Sequence, residues 1–254
     1  MNFLVVNDDG FQALGILLLQ KALSRFGSVY VSSPMVEQSA SSQRVSIGNF
    51  INVKRIKSSY QANGVILVDG TPADCVRVGL KEWDNIDFDL ILCGVNHGAN
   101  LSYDTLYSGT LAAGKEAALY QISSIAFSSD VVDETTFNHL LIELTKLIEW
   151  ILEQEIYKKF PLLNINIPSK NVLGYKIVPL GQRKSEPNYL KTETKFIFSG
   201  LSYSDVKSGE NDYSAFRSGY ITITPIKIDQ NDHPQIEKLR KYLLKNKGEN
   251  NGTI

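Results

Sequence analysis

The chain has 254 residues, 43% of them hydrophobic and 21% charged, which suits one well-packed core and excludes a disordered or collagen-like polymer. Its 26 Lys and Arg against 27 Asp and Glu leave the net charge near zero, so no basic surface stands ready for a long nucleic acid. No run approaches the ~18 apolar residues that span a bilayer, and Cys75 and Cys93 form no C-x-x-C pair; the expectation is a cytoplasmic protein with reduced core thiols and no membrane partner.

Met1 to Val6 reads as a buried strand ending at Asn7-Asp8-Asp9-Gly10, after which Ala13, Leu14, Leu17, Leu18 and Leu23 recur at helical spacing until Gly27. Val29 to Ser32 predicts a second strand, and the Ser-rich segment from Pro34 to Ser46 is too long for a simple connection. Val65 to Val68 predicts a third strand. Beyond it Thr71 suits a helix N-cap, Pro72 the first helical position and Asp74 the first turn of a helix running toward Trp83. Phe88 to Cys93 is apolar except Asp89, as expected of a strand covered on both faces of a parallel sheet. Thr110 to Tyr120 predicts an Ala-rich helix, Ile122 to Phe127 a strand, and Glu134 to Lys158 one long amphipathic helix that Pro161 ends.

Strands alternating with helices predict an α/β fold with an open, doubly wound, mostly parallel sheet. Past Pro168 the pattern changes: Tyr175 to Pro179, Lys195 to Phe198 and Tyr220 to Thr224 look like strands without helices between them. A helical segment, Pro234 to Lys245, and a tail, Gly248 to Ile254, follow. The expected division is a core over residues 1–169 and a β-rich arm over 170–254, whose terminal helix packs back on the core.

In an open parallel sheet ligands gather beyond the carboxyl ends of the strands. There the chain places Asp8 and Asp9, then Ser39, then Asp69 to Thr71, then Asn96 and Asn100. Adjacent carboxylates in a cleft repel unless a cation neutralises them, and an all-oxygen set suits Mg²⁺ or Mn²⁺, whereas zinc or copper favours His or Cys. The bland alternative is a solvated turn before Gly10. Tyr107-Ser108-Gly109-Thr110 leads into a helix, whose first N–H groups and dipole favour phosphate, and Gly109 permits close approach; a simple cap by Ser108 or Thr110 is the alternative. Gly109 to Lys115 has the spacing of a nucleotide-triphosphate P-loop, but Glu116 stands where Ser or Thr is required. His139 falls within the long helix as a structural residue, His97 follows Asn96, and Asp229, Asp232 and His233 reach the cleft only if the arm folds back.

The segments Val5 to Gly10, Gln38-Ser39, Gly70 to Val76, Gly94 to Asn100 and Tyr107 to Thr110 closely resemble the SurE family of survival-protein nucleotidases. The resemblance continues through Leu163 to Pro168 and Gly219 to Pro225. It implies a Rossmann-like fold, one divalent metal ion per subunit (Mg²⁺ or Mn²⁺), and hydrolysis of nucleoside 5′-monophosphates. Further implied substrates are 3′-nucleotides and short polyphosphate, and implied assemblies are homodimers or homotetramers through exchange of the C-terminal arm. By the same resemblance Asp8, Asp9, Ser39 and Asn96 match the metal ligands, Asn96, Asn100, Ser108, Gly109 and Thr110 the phosphate-contacting region, and Asp8, Asp9 and Asn96 the catalytic set. Two departures stand out: Ala40 where the family usually has Gly, and Arg44 in place of a small residue. Competing readings are a nucleotide-sensing module without turnover and an ATP-binding protein of P-loop type.

Overall fold

The computed structural model describes residues 1–57, 62–205 and 209–249. Its central strand, β1 (Asn2–Val6), turns Phe3 and Val5 toward one face and Leu4 and Val6 toward the other, and all four are fully buried. Such two-sided burial needs helices on both faces. On one side Phe3 and Val5 meet α1 (Leu14–Leu23) and α4 (Phe137–Glu153); on the other Leu4 and Val6 meet α2 (Pro72–Glu82) and α3 (Gly109–Leu119).

Eight further strands complete this sheet: β2 (Ser28–Pro34), β3 (Val53–Ile56), β4 (Gly64–Val68), β5 (Leu90–His97), β6 (Ser124–Ser129), β7 (Leu162–Ile167), β8 (Gly174–Ile177) and the late strand Tyr220–Pro225, which becomes β11 in chain order. The remaining two, β9 (Arg183–Lys191) and β10 (Phe196–Asp205), pair only with each other as an antiparallel ribbon. The large sheet runs β3-β4-β2-β1-β5-β6-β7-β11-β8. Its six central strands are parallel, and β3 and β11 pair antiparallel to β4 and β7. From β1 the chain winds outward through β2, then restarts on the opposite side with β5. The gap between the carboxyl ends of β1 and β5 is therefore the switch point where such folds bind ligands.

Several expectations needed correction. The helix expected over Glu134 to Lys158 is two: α4 stops near Gln154, Glu155 adopts a left-handed backbone (φ 51°), and α5 (Ile156–Lys159) follows in a new direction. The strands expected in a separate arm divide. β8 and β11 join the large sheet, where Ile221 and Ile223 are buried with the α1/α4 core, and only the ribbon stands apart. The short helix α6 (Asp212–Arg217) precedes β11. The terminal helix α7 (His233–Glu249) is exposed along its described side chains: over residues 233–243 only Ile236 is half-buried. Its apolar positions there, Ile236, Leu239, Tyr242 and Leu243, form a narrow stripe among charged residues, and Leu239, Tyr242 and Leu243 are exposed. From residue 250 on, the expected tail lies outside the described residues. No helix among the described residues is long and apolar enough to cross a membrane.

One close approach sets the position of the switch point. A Cβ built on Gly15 of α1 would lie 1.9 Å from the carbonyl oxygen of Val95 in β5. Gly15→Ala should therefore force helix and strand apart and lower stability by about 1–3 kcal/mol, read as a drop in the urea midpoint at unchanged m-value.

Candidate functional site

Asp8 leaves the end of β1 with 4% exposure, and Thr110 at the start of α3 is fully buried beside it. The Thr110 hydroxyl donates to Asp8 Oδ1 at 2.5 Å and lies 3.2 Å from Asn96 Oδ1. Asn96 Nδ2 donates to Gly98 O at 2.7 Å, which fixes the amide with its oxygen toward Thr110. Gly109 closes the arrangement. A Cβ there would sit 2.9 Å from Asp8 Oδ2 and 2.7 Å from Ser41 Oγ, so only glycine lets the first turn of α3 come this near the carboxylate. Ser41 Oγ itself is buried without a hydrogen-bond partner.

Asp9, Ser39, Glu37 and His97 line an adjoining cleft of about 260 Å³, walled by Leu14, Val95 and Val132. Asp9 Oδ2 accepts from the backbone N–H of His97 at 3.1 Å, and the Ser39 hydroxyl donates to Glu37 at 2.5 Å. The Ser-rich loop is anchored here at both ends. Gln38 N–H donates to Asp8 O (2.8 Å), and Ser42 donates through its N–H to Tyr107 O (3.0 Å) and through Oγ to Leu106 O (2.9 Å).

Burial raises the Asp8 carboxyl to about 6, with the neighbouring Asp9 adding to the shift against the hydrogen bond from Thr110. Burial also raises Asp9, reinforced by Glu37. Among the described residues no Lys or Arg forms an ion pair with either aspartate, and no group of three His, Cys, Asp or Glu side chains is placed to hold a metal ion by itself. The donor set suits a hard divalent cation supplemented by amide and hydroxyl oxygen.

The structure thus brings Asp8, Asn96, Gly109 and Thr110 into one contact group, with Asp9 and Ser39 around the next cleft. It uses others differently. Ser108 caps α3, its Oγ accepting from Leu111 N–H at 3.0 Å. Asn100 sits in a buried polar network: its N–H donates to Asn166 Oδ1, its Nδ2 to Ser128 Oγ, and its carbonyl accepts from Asn164 and Asn166. Thr71 caps α2 in a capping box with Asp74, and both residues also hold the loop at Arg44 and Ser46 instead of facing Asp8. The P-loop spacing from Gly109 to Lys115 is overturned, because those residues are already helical and form no cradle. His233 pairs with Asp229 on the exposed side, and His97 Nδ1 is held at Val132. Both cysteines are free and buried, and burial raises each thiol.

The family model described as Survival protein SurE matches residues 3–187. The chain belongs to the SurE family. It is 34% identical to 5′-nucleotidase SurE of Caldanaerobacter subterraneus subsp. tengcongensis over 249 residues, covering 95% of this chain and 97% of that one. It is also 34% identical to 5′-nucleotidase SurE of Campylobacter concisus over 253 residues, covering 93% and 96%. The SurE protein from Aquifex aeolicus superposes with a TM-score of 0.80 at 29% identity over 96% of this chain and 99% of that one. Two residues at this SurE site escaped sequence reasoning, Glu37 and Ser41. Their only sequence signal was membership of the overlong Ser-rich loop.

Proposed function

We propose that this chain is a divalent-metal-dependent phosphomonoesterase that hydrolyses nucleoside 5′-monophosphates, with Asp8, Asp9, Ser39 and Asn96 holding the cation. The observation that supports it best is the close approach of Asp8 to the first turn of α3, where a Cβ on Gly109 would lie 2.9 Å from Asp8 Oδ2. A negative carboxylate so close to a helix N-terminus would repel an arriving phosphate on its own. With a cation held at the carboxylate, the ion and the helix N-terminus would both favour a phosphoryl group.

A bound Mg²⁺ or Mn²⁺ would supply Lewis-acid polarisation of a phosphoryl oxygen and offset charge that develops on it. The chain's own groups do the positioning. Thr110 fixes Asp8 by its Oδ1, and the positive end of the α3 dipole would favour the phosphoryl oxygens. Asn96 is locked by Gly98 with its oxygen toward the same point. The relatives' names as 5′-nucleotidases support the substrate class, and 3′-nucleotides and short polyphosphate are further substrates of the same chemistry. The exposed apolar residues of the β9–β10 ribbon, Tyr189, Leu190, Phe196 and Ile197, support a homodimer or homotetramer built by exchanging it.

The test is phosphate release from AMP and GMP. Turnover should fall to background after chelation, return with Mn²⁺ or Mg²⁺, and change only modestly in Lys115→Ala. A protein that binds AMP and metal without releasing phosphate would be a sensing module instead.

A further inference from the structure

Glu37 has no place in the reading so far, yet it lines the cleft with Asp9, Ser39 and His97, and that lining contains no Lys or Arg. The 2.5 Å bond from the Ser39 hydroxyl to Glu37 Oε1 is as short as charge-assisted O–H···O⁻ bonds are. A serine hydroxyl owns one proton and two lone pairs. Once the proton is committed to Glu37, the oxygen meets any other neighbour only as an acceptor.

That matters for a metal ligand. A freely rotating hydroxyl turns its proton toward a cation in part of its conformations, and those conformations repel the ion. We propose that Glu37 is a positioning residue: by holding the proton of Ser39, it presents the Ser39 oxygen as a pure acceptor to the cation bound with Asp9. The inference rests on the metal-binding reading above. The backbone supports it, because Gln38, between the two residues, is tied through its N–H to Asp8 O at 2.8 Å, and Ser41 N–H donates back to Gln38 O at 3.2 Å. The turn carrying the Glu37–Ser39 pair is thereby attached to the carboxylate strand itself. Glu37 could instead act by charge alone or as a direct ligand, and neither role passes through Ser39. Gln retains an acceptor for the Ser39 proton and loses only the charge.

The measurement is Mn²⁺ affinity of the chelator-stripped full chain, from calorimetry or the electron paramagnetic resonance signal of free Mn²⁺. Both residues are exposed, so their substitution leaves the core untouched. Glu37→Ala should weaken Mn²⁺ binding about 10–100-fold, the usual cost of losing a group that orients a ligand. Glu37→Gln should recover most of that loss, and in a Ser39→Ala background Glu37→Ala should cost nothing more. The inference is overturned if Glu37→Ala binds Mn²⁺ like the wild type, if Gln is as weak as Ala, or if the loss persists in full without Ser39. A wild-type chain that binds no Mn²⁺ would bring down the metal reading itself, and this inference with it.

Discussion

Asp8→Asn should abolish the proposed metal-dependent hydrolysis of AMP and, with chelator present, should make the protein more stable at pH 8. Both effects have one origin. The Asp8 carboxyl titrates near 6 in the fold against 3.8 as its ordinary value, because burial and Asp9 disfavour its charge. A carboxyl raised in this way supports the fold fully below pH 3.8, and the support is lost as pH rises through about 6. At pH 8 the charged form therefore costs about 3 kcal/mol in the metal-free protein, by the usual 1.36 kcal/mol per pKa unit. Asn keeps an oxygen for the Thr110 hydroxyl and removes the charge. We expect kcat/KM to fall at least about 10³-fold, since an electrostatic group acting on the transition state supplies roughly this much. The denaturation midpoint of the chelated variant should exceed that of the wild type at pH 8 and match it at pH 4. Retained turnover, or equal stability at pH 8, would remove Asp8 from the centre of the site.

Gly109→Ala should inactivate the protein with its fold intact. Alanine suits a helix better than glycine by about 1 kcal/mol, so the helix itself gains. The added methyl group, however, falls 2.7 Å from Ser41 Oγ and 2.9 Å from Asp8 Oδ2. Ser41 and the carboxylate must yield, which moves Asp8 away from the first turn of α3. A displacement of about 1 Å at a reacting centre costs on the order of 10²-fold in rate. Activity should drop by at least that factor with the far-ultraviolet circular dichroism unchanged. A variant with wild-type KM and kcat would show that phosphate binds elsewhere.

The residues of this candidate site that the sequence marks are those that follow a strand end directly, Asp8 and Asp9 above all; Thr71-Pro72-Ala73-Asp74, marked in the same way, carries a capping box and lies outside it. Asn100 was misleading for the same reason. Its position after β5 marks it as a ligand, but the partners that engage it, Ser128, Asn164 and Asn166, lie on strands far along the chain. Asp212 was invisible: this fully buried carboxylate accepts from the N–H groups of Ser102, Gly181 and Tyr213, and no local pattern announces such a junction.

Local pattern alone determined strands β1, β2, β4, β5 and β6 and helices α1, α2 and α3, since apolar runs and 3.6-residue spacing are properties of neighbouring residues. Val53–Ile56 was missed because an edge strand half in solvent lacks the apolar run that marks a central one. Which strands lie side by side was decided only by tertiary structure: β8 and β11 extend the large sheet while β10 stands apart with β9, although the three strands foreseen there read alike in sequence and β9 was not foreseen. The same holds for the approach of α3 to Asp8, which depends on packing between segments about a hundred residues apart. Long-range pairing is chosen by surfaces that exist only once the sheet has formed, and no window of neighbouring residues contains them.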